Sequence, residues 1–199
     1  MTTIVYKKNY SAPPVDRREA LRYAGVRGES AEAEAMLDEC IRESADTLSY
    51  KLCYAEYPLT RVEKSLNFGF TSVESEKLAA HLSECDRVII MAATIGIGLD
   101  RLAARYAKTS PAKALILQGL GAERIEALAD LFCRELEKQG LNVTSRFSAG
   151  YGDLSLELQR EIFRVLDCQR SIGLTLNDSL IMSPTKSITA IIGIKKEFK

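Results

Sequence analysis

The segment RFSAGYGD, residues 146–153, leads into a predicted amphipathic helix, after which the chain continues as LTLNDSLIMSPTKSITA, residues 174–190. In the first segment, the Arg146 guanidinium can hold a carboxylate through two parallel hydrogen bonds, and Gly150 lets a ligand approach the backbone. Tyr151 offers a ring face to a cation or to a flat heterocycle. Because so short a pattern occurs often by chance, the spacing alone favours a strand-to-helix turn with a surface arginine and a packed tyrosine.

The two segments taken together resemble one protein family. The combined pattern is Arg-x-x-x-Gly-Tyr, a helix, a Leu-Thr pair, Met-x-Pro-x-x-Ser and a closing strand. It resembles the C-terminal activation domain of cobalamin-dependent methionine synthase, here as a free-standing polypeptide. A looser likeness at Ala93-Thr94-Ile95-Gly96 extends the resemblance to roughly the C-terminal half of the chain. The positions that carry the main pattern are Arg146, Gly150, Tyr151, Leu174, Thr175, Met182, Pro184 and Ser187.

The resemblance implies a binding site for S-adenosylmethionine. In that family the arginine of Arg-x-x-x-Gly-Tyr meets the ligand carboxylate, and the backbone that follows it meets the adenosine. S-adenosylmethionine carries an amino-acid carboxylate, a sulfonium and an adenine, which suit a guanidinium and a tyrosine ring. The residues that the resemblance places in this site are Arg146, Ser148, Ala149, Gly150 and Tyr151.

The resemblance also implies a function, which is the reactivation of a cobalamin enzyme whose cobalt has drifted to the inactive Co(II) state. In such a system an external reductant, flavodoxin-like or ferredoxin-like, supplies an electron, and S-adenosylmethionine supplies the methyl group. The sequence lacks Asp-x-His-x-x-Gly, the cobalamin-ligating motif, because its one histidine, His81, stands in Ala-Ala-His-Leu-Ser. We therefore expect cobalamin to come from a partner, either a cobalamin-binding methionine synthase or a related corrinoid protein.

Two other functions stay open. The family site also uses an aspartate from an N-terminal Asp-Trp-rich segment, but this sequence contains no tryptophan and that aspartate has no evident counterpart. The second hypothesis is therefore that the chain is a non-catalytic docking or assembly module of a corrinoid protein and has lost S-adenosylmethionine binding. The third hypothesis is a stand-alone S-adenosylmethionine-dependent methyltransferase, which ranks last because the usual glycine-rich loop after a first strand is not evident.

Composition argues against several other classes of protein. Lysine plus arginine and aspartate plus glutamate each number 27, so there is no basic excess for binding nucleic acid or an anionic membrane. No apolar run approaches the roughly 20 residues that span a bilayer, and we expect a cytoplasmic protein. The five cysteines include no Cys-x-x-Cys pair, and only one histidine is present. These counts predict unpaired, buried thiols and no metal site.

Hydrophobic periodicity predicts an α+β mixture, and the resemblance implies a single mixed domain with a largely antiparallel twisted sheet flanked by helices. Residues 1–28, with Pro13-Pro14 and no clear period, are predicted to form an N-terminal arm or short elements packed on the body. Residues 29–199 are then the activation-domain-like domain.

The pattern also predicts the individual elements. Helices are expected at about 30–48, from Thr71 or Ser72 to Glu84, from Pro111 to about Gln139, and over 154–167. Strands are expected at 50–54, 66–70, 143–147, 172–176 and 187–194, with 88–91 as a central strand buried on both faces. Gly119 and Gly121 inside the long helix predict close packing, a kink or a break. Gly96-Ile97-Gly98 lacks the third glycine of a dinucleotide loop, so it predicts a tight turn that opens a helix.

Overall fold

The computed structural model of the protein describes residues 3–196. Within that range, the strands are β1 (Tyr6–Tyr10), β2 (Tyr50–Pro58), β3 (Thr60–Val62), β4 (Ser65–Asn67), β5 (Ser72–Glu74), β6 (Cys85–Thr94), β7 (Thr175–Leu176), β8 (Met182–Ser183) and β9 (Ser187–Lys195). The helices are α1 (Arg17–Tyr23), α2 (Ala31–Ser44), α3 (Glu76–His81), α4 (Gly98–Tyr106), α5 (Pro111–Lys138), α6 (Leu158–Leu166) and α7 (Cys168–Ile172).

The main sheet is antiparallel and has the strand order β1-β2-β6-β9. Along β6, Ile89 and Met91 face one hydrophobic core, whereas Val88 and Ile90 face the other. A strand buried on both faces needs apolar residues at successive positions, which explains the uninterrupted apolar run. The prediction of a central strand here is confirmed.

Helices cover both faces of this sheet. One core lies between the sheet and the helices α1, α2, α4 and α5. The other core lies between the sheet and α3, α6, α7 and the small sheet β3-β4-β5. The predicted fold class, an antiparallel sheet flanked by helices in an α+β domain, is therefore confirmed. None of the helices within residues 3–196 combines the length and the apolar character that crossing a bilayer requires.

The glycines of α5 allow close packing without interrupting the helix. A Cβ at Gly119 would lie 2.4 Å from the Ala20 carbonyl oxygen and 2.5 Å from the Ala24 nitrogen. A Cβ at Gly121 would lie 2.2 Å from a methyl carbon of Leu99. Close packing is therefore confirmed at these glycines, and α5 shows no break because it runs from Pro111 to Lys138.

The first 28 residues supply β1 and α1, and both pack on the rest of the protein. β1 pairs with β2 at the edge of the main sheet, and α1 contacts α5. Arg124 of α5, only 2% exposed, donates hydrogen bonds to the carbonyl oxygens of Pro13 at 2.5 Å and Pro14 at 2.6 Å. Short elements packed on the body are therefore the form that this segment takes. A domain boundary at residue 28 stays a prediction.

Two predicted elements in the first half of the chain are wrong in position. The helix expected from Thr71 or Ser72 to Glu84 is α3, which begins at Glu76 behind its cap residue Ser75 and ends at His81. Residues 72–74 instead pair with β4 as strand β5. Cross-strand pairing thus overrides the capping potential of Ser72. The strand expected at 66–70 ends at Asn67, because Gly69 takes a positive φ of 82° in the turn before β5.

Other elements differ mainly in length. The helix expected at 30–48 ends at Ser44, and that expected at 154–167 begins only at Leu158. The strand expected at 143–147 is reduced to two isolated bridges, Val143 to Ile194 and Phe147 to Ile191. Of the strand expected at 172–176, only Thr175–Leu176 forms, since Ile172 ends α7. The predictions for the long helix and the closing strand are confirmed by α5 and β9.

Candidate functional site

The segment that contains the predicted site residues lies against the edge of β9. Phe147 exchanges two backbone hydrogen bonds with Ile191, at 2.9 and 2.8 Å, and its ring is buried in the core below the sheet. Because side chains alternate along an extended segment, a buried Phe147 directs Arg146 and Ser148 away from that core. The Ser148 hydroxyl donates to the carbonyl oxygen of Thr189 at 3.1 Å, which fixes the segment to the start of β9.

Arg146 is held by two carboxylates of α5. One guanidinium nitrogen lies 2.6 Å from a Glu126 oxygen and another lies 2.5 Å from an Asp130 oxygen. The two acids are four residues apart and so share one face of the helix. Burial acts to lower the pKa of Arg146, but hydrogen bonding and charge from Asp130 and Glu126 outweigh it and raise the pKa. Arg146 is therefore a permanent cation with 20% of its side chain exposed.

The turn after Ser148 has the backbone that its glycine predicts. Gly150 takes a φ of +85°, which L side chains rarely adopt, and its amide donates to Leu154 at 3.0 Å. Ala149 is buried, whereas Tyr151 is 65% exposed and meets the Phe147 ring edge-on at 5.3 Å between centroids. The turn therefore presents the Tyr151 ring to solvent on the side of the Phe147 ring.

Asp153 anchors this turn to α3, a role that the sequence did not reveal. Its carboxylate accepts hydrogen bonds from the Ser75 hydroxyl at 2.5 Å and from the Glu76 amide at 2.7 Å. These contacts hold the pKa of Asp153 below its usual value, the Ser75 hydrogen bond being the main cause. The first N–H groups of a helix have no acceptor within the helix, and Asp153 supplies one at the start of α3 although it lies 78 residues from Ser75 in the sequence. No local signal could have identified this pairing.

The five predicted site residues lie within residues 146–151, where Phe147 and Ala149 are buried, and the structure adds Glu126 and Asp130 as partners of Arg146. A guanidinium beside two carboxylates is complementary to an amino-acid zwitterion, since the guanidinium attracts a carboxylate and the acids attract an ammonium. The exposed ring of Tyr151 suits a flat heterocycle or a cation. The acids were missed because they lie 20 and 16 residues before Arg146 in the chain.

Three residues outside the predicted site, His81, Ser187 and its neighbour Lys186, lie in different environments. The ring nitrogen Nε2 of His81 lies 2.8 Å from the Ser145 carbonyl oxygen, and among residues 3–196 no group of histidine, cysteine and acidic side chains is arranged to hold a metal. Ser187 is buried and hydrogen-bonded to Thr94 at 2.8 Å. Lys186 is half-buried, and burial lowers its pKa, with Asp100 opposing that effect.

Comparison with known proteins bears on the fold. No family model matches the chain, and no curated protein matches it either. Among solved structures, it is similar to a crystal structure of the MetH reactivation domain bound to AdoHcy, with a TM-score of 0.73 and 15% sequence identity. The match covers 98% of this chain and 79% of that one. At this identity the likeness establishes architecture, so the protein has the fold of the MetH reactivation domain over nearly its whole length.

Proposed function

We propose that the protein is a reactivation subunit that binds S-adenosylmethionine through residues 146–151 and positions it for the reductive methylation of Co(II) cobalamin. The observation that carries the proposal is the whole-chain fold likeness to a reactivation domain whose crystal structure holds AdoHcy. AdoHcy is what remains of S-adenosylmethionine once its methyl group has been transferred. The same ligand class suits the zwitterion-complementary cluster around Arg146.

In this proposal each residue of the cluster has a definite role. Arg146 binds the ligand carboxylate, while Glu126 and Asp130 attract its ammonium group. Tyr151 packs beside the adenosyl or sulfonium part, and the backbone from Ser148 through Ala149 to Gly150 lines the adenosine. Because Arg146 is already charged and ordered by its two acids, ligand binding requires no new charge at the site.

The chemistry needs positioning groups rather than an acid or a base. S-adenosylmethionine supplies the methyl group, a flavodoxin-like or ferredoxin-like reductant supplies an electron, and a cobalamin-binding methionine synthase or related corrinoid protein supplies the cobalt. This chain has to bind the methyl donor, orient it and present it to the partner. Holding two reactants in the right geometry can by itself remove several kcal/mol from a barrier, on the order of 7–11 in the best cases.

A second function is favoured by a specific observation. The Arg146 guanidinium is already satisfied by Glu126 and Asp130, so a ligand carboxylate has to compete with two ion pairs for it. A docking or assembly module of a corrinoid protein would keep such a cluster for structural reasons and would bind no methyl donor. The two functions differ in a directly measurable property, which is affinity for S-adenosylmethionine.

Isothermal titration calorimetry with S-adenosylmethionine and AdoHcy separates the two functions. We expect weak binding by the wild type and a loss of roughly 10- to 100-fold in Arg146→Ala, since a charge-assisted hydrogen bond contributes about 1.5–3 kcal/mol. Arg160→Ala is the matched control, because Arg160 also pairs with a glutamate, at 2.8 Å, but lies on α6. Equal affinities in wild type and Arg146→Ala would remove Arg146 from the site. Absence of heat from the wild type would favour the docking module.

A further inference from the structure

A cleft separate from residues 146–151 lies between α4 and the segment that follows α2. Its volume is about 530 Å³, which falls within the range typical of small-molecule sites. The residues that line it are Thr47, Ser49, Ile97, Gly98, Arg101, Leu102 and Arg105. The lining therefore combines two cations, two hydroxyls and two apolar side chains with no carboxylate.

One wall of the cleft is a single face of α4. Arg101 and Leu102 lie three and four residues after Gly98, and Arg105 lies four and three residues after them, so these positions share one face of the helix. Residues four apart on a helix are neighbours, with roughly 5–6 Å between their Cβ atoms. The guanidinium groups of Arg101 and Arg105 can thus reach the same oxyanion.

Two glycines set how closely the walls approach each other. A Cβ at Gly98 would lie 2.2 Å from the Thr47 carbonyl oxygen, which is backbone and cannot easily yield. A Cβ at Gly96, where φ is +81°, would lie 2.4 Å from the Ser49 hydroxyl oxygen. The turn that the sequence predicted at Gly96-Ile97-Gly98 therefore brings Ile97 and Gly98 close to Thr47 and Ser49 in the lining of this cleft.

Within residues 3–196, the guanidinium groups of Arg101 and Arg105 lack an ion-paired carboxylate. No side-chain hydrogen bond or ion pair joins Arg101 or Arg105 to any of residues 3–196, although the Arg105 guanidinium lies 5.4 Å from the centre of the Tyr106 ring. Glu43, whose charge reaches Arg105, is bonded to Lys113 at 2.6 Å and to Tyr106 at 2.8 Å. Like charges four residues apart destabilise a helix, so this arrangement favours a bound anion.

The acid nearest along α4 is also engaged elsewhere. Asp100 accepts hydrogen bonds from the Thr185 amide at 2.8 Å and from its hydroxyl at 2.5 Å. A second pair of arginines shows how the chain treats the same spacing where no cleft is present. On α6, Arg160 and Arg164 are also four residues apart, and they pair with Glu157 at 2.8 Å and Glu161 at 2.5 Å. The two arginines of the cleft lack the ion pairs with glutamate that the two arginines of α6 form.

We propose that this cleft binds the phosphate group of a small organic phosphate. Arg101 and Arg105 hold the oxyanion, because guanidinium groups match phosphate in charge and in hydrogen-bond geometry. The Ser49 hydroxyl donates to the same group, since it has no partner within residues 3–196, whereas the Thr47 hydroxyl already donates to Ser44 at 2.9 Å. Ile97, which is 39% exposed, and Leu102 contact the apolar part of the ligand.

Calorimetric titration with phenyl phosphate and with inorganic phosphate tests the proposal. We expect one phenyl phosphate per chain, with affinity reduced roughly tenfold or more in Arg101→Gln and in Arg105→Gln. Arg160→Gln/Arg164→Gln is the matched control and should bind as the wild type does. No binding by the wild type, or an equal loss in the control, would overturn the proposal. Circular dichroism confirms that each variant is folded.

Two further measurements test whether the ligand has an apolar part and whether the cleft is separate from residues 146–151. Phenyl phosphate should bind more tightly than inorganic phosphate because Ile97 and Leu102 contact its ring, and equal affinities would overturn the apolar part of the assignment. Arg146→Ala should leave phenyl phosphate affinity unchanged, since Arg146 is absent from the lining. A parallel loss in that variant would mean that the two sites are not separate.

Discussion

Arg124 and Glu123 of α5 form a buried ion pair, and both side chains also hydrogen-bond to the backbone of residues 13–16. We expect removal of this pair to lower the free energy of unfolding. Arg124 donates to both Glu123 oxygens, each at 2.5 Å, and to the carbonyls of Pro13 and Pro14. Burial acts to lower the pKa of Arg124, but the hydrogen bond and charge of Glu123 outweigh it, so the pKa is raised. Arg124 therefore stays charged within a site that is almost closed to water.

Substituting Arg124→Met leaves the Glu123 carboxylate, only 4% exposed, with the Asp16 amide at 3.1 Å as its remaining hydrogen-bond partner among residues 3–196. Breaking a buried pair by removing one partner costs about 3–5 kcal/mol. For a chain of this size that loss corresponds to a fall in Tm of about 6–20 °C. Urea unfolding at pH 7 measures the free energy of unfolding, and limited proteolysis should show faster cleavage within residues 1–28.

The double variant Glu123→Leu/Arg124→Met shows whether the uncompensated charge is the cause. It should recover part of the lost stability, because no unpaired carboxylate remains buried. A change of less than about 1 kcal/mol in Arg124→Met, or a double variant at least as unstable as the single one, would refute the reasoning. Residues 3–28 would then be held by other contacts, chiefly the pairing of β1 with β2.

Two further predictions concern titratable groups. Hydrogen bonding from Ser75 lowers the pKa of Asp153 in the folded state. The ionised Asp153 carboxylate therefore stabilises the folded protein above its unfolded pKa of about 3.9, and this contribution is lost as the pH falls through the pKa of the folded state. Between pH 5 and about pH 2, the urea midpoint of Asp153→Asn should therefore fall by less than that of the wild type. The same fall in both proteins would contradict this role of Asp153. Burial raises the pKa of Cys40 to about 11 and also raises those of Cys85 and Cys133, so these thiols should react slowly at pH 8 in the folded protein. All five cysteines should titrate as free thiols in non-reducing denaturant, and stoichiometric zinc or a lower count would contradict the prediction.

The elements that the sequence predicted well are those in which burial and periodicity agree. β6 is apolar at successive positions because both of its faces are buried, and α5 begins at a proline that suits its first turn. The start of α3 was misplaced because Ser72 and Ser75 are equally good caps in isolation. Pairing of residues 72–74 with β4 decides between them, and that pairing is tertiary.

The candidate site was predictable only in its continuous part. Arg146, Gly150 and Tyr151 lie close together in the sequence, and the positive φ of Gly150 is a property that glycine itself suggests. The partners of Arg146 come from α5, and Asp153 acts at a helix start 78 residues away. Such contacts depend on how the elements pack, so their identification required the structure.

The most direct test of the reactivation function is the affinity of the purified protein for a corrinoid partner in two redox forms. Sedimentation or surface capture against a cobalamin-loaded methionine synthase or related corrinoid protein measures that affinity with Co(II) and with methylated cobalt. We predict tighter association with the Co(II) form, by roughly tenfold or more, because a reactivation module can shift its partner only through differential affinity for the two states. Equal affinity for both forms, or no association with either, would contradict the reactivation function.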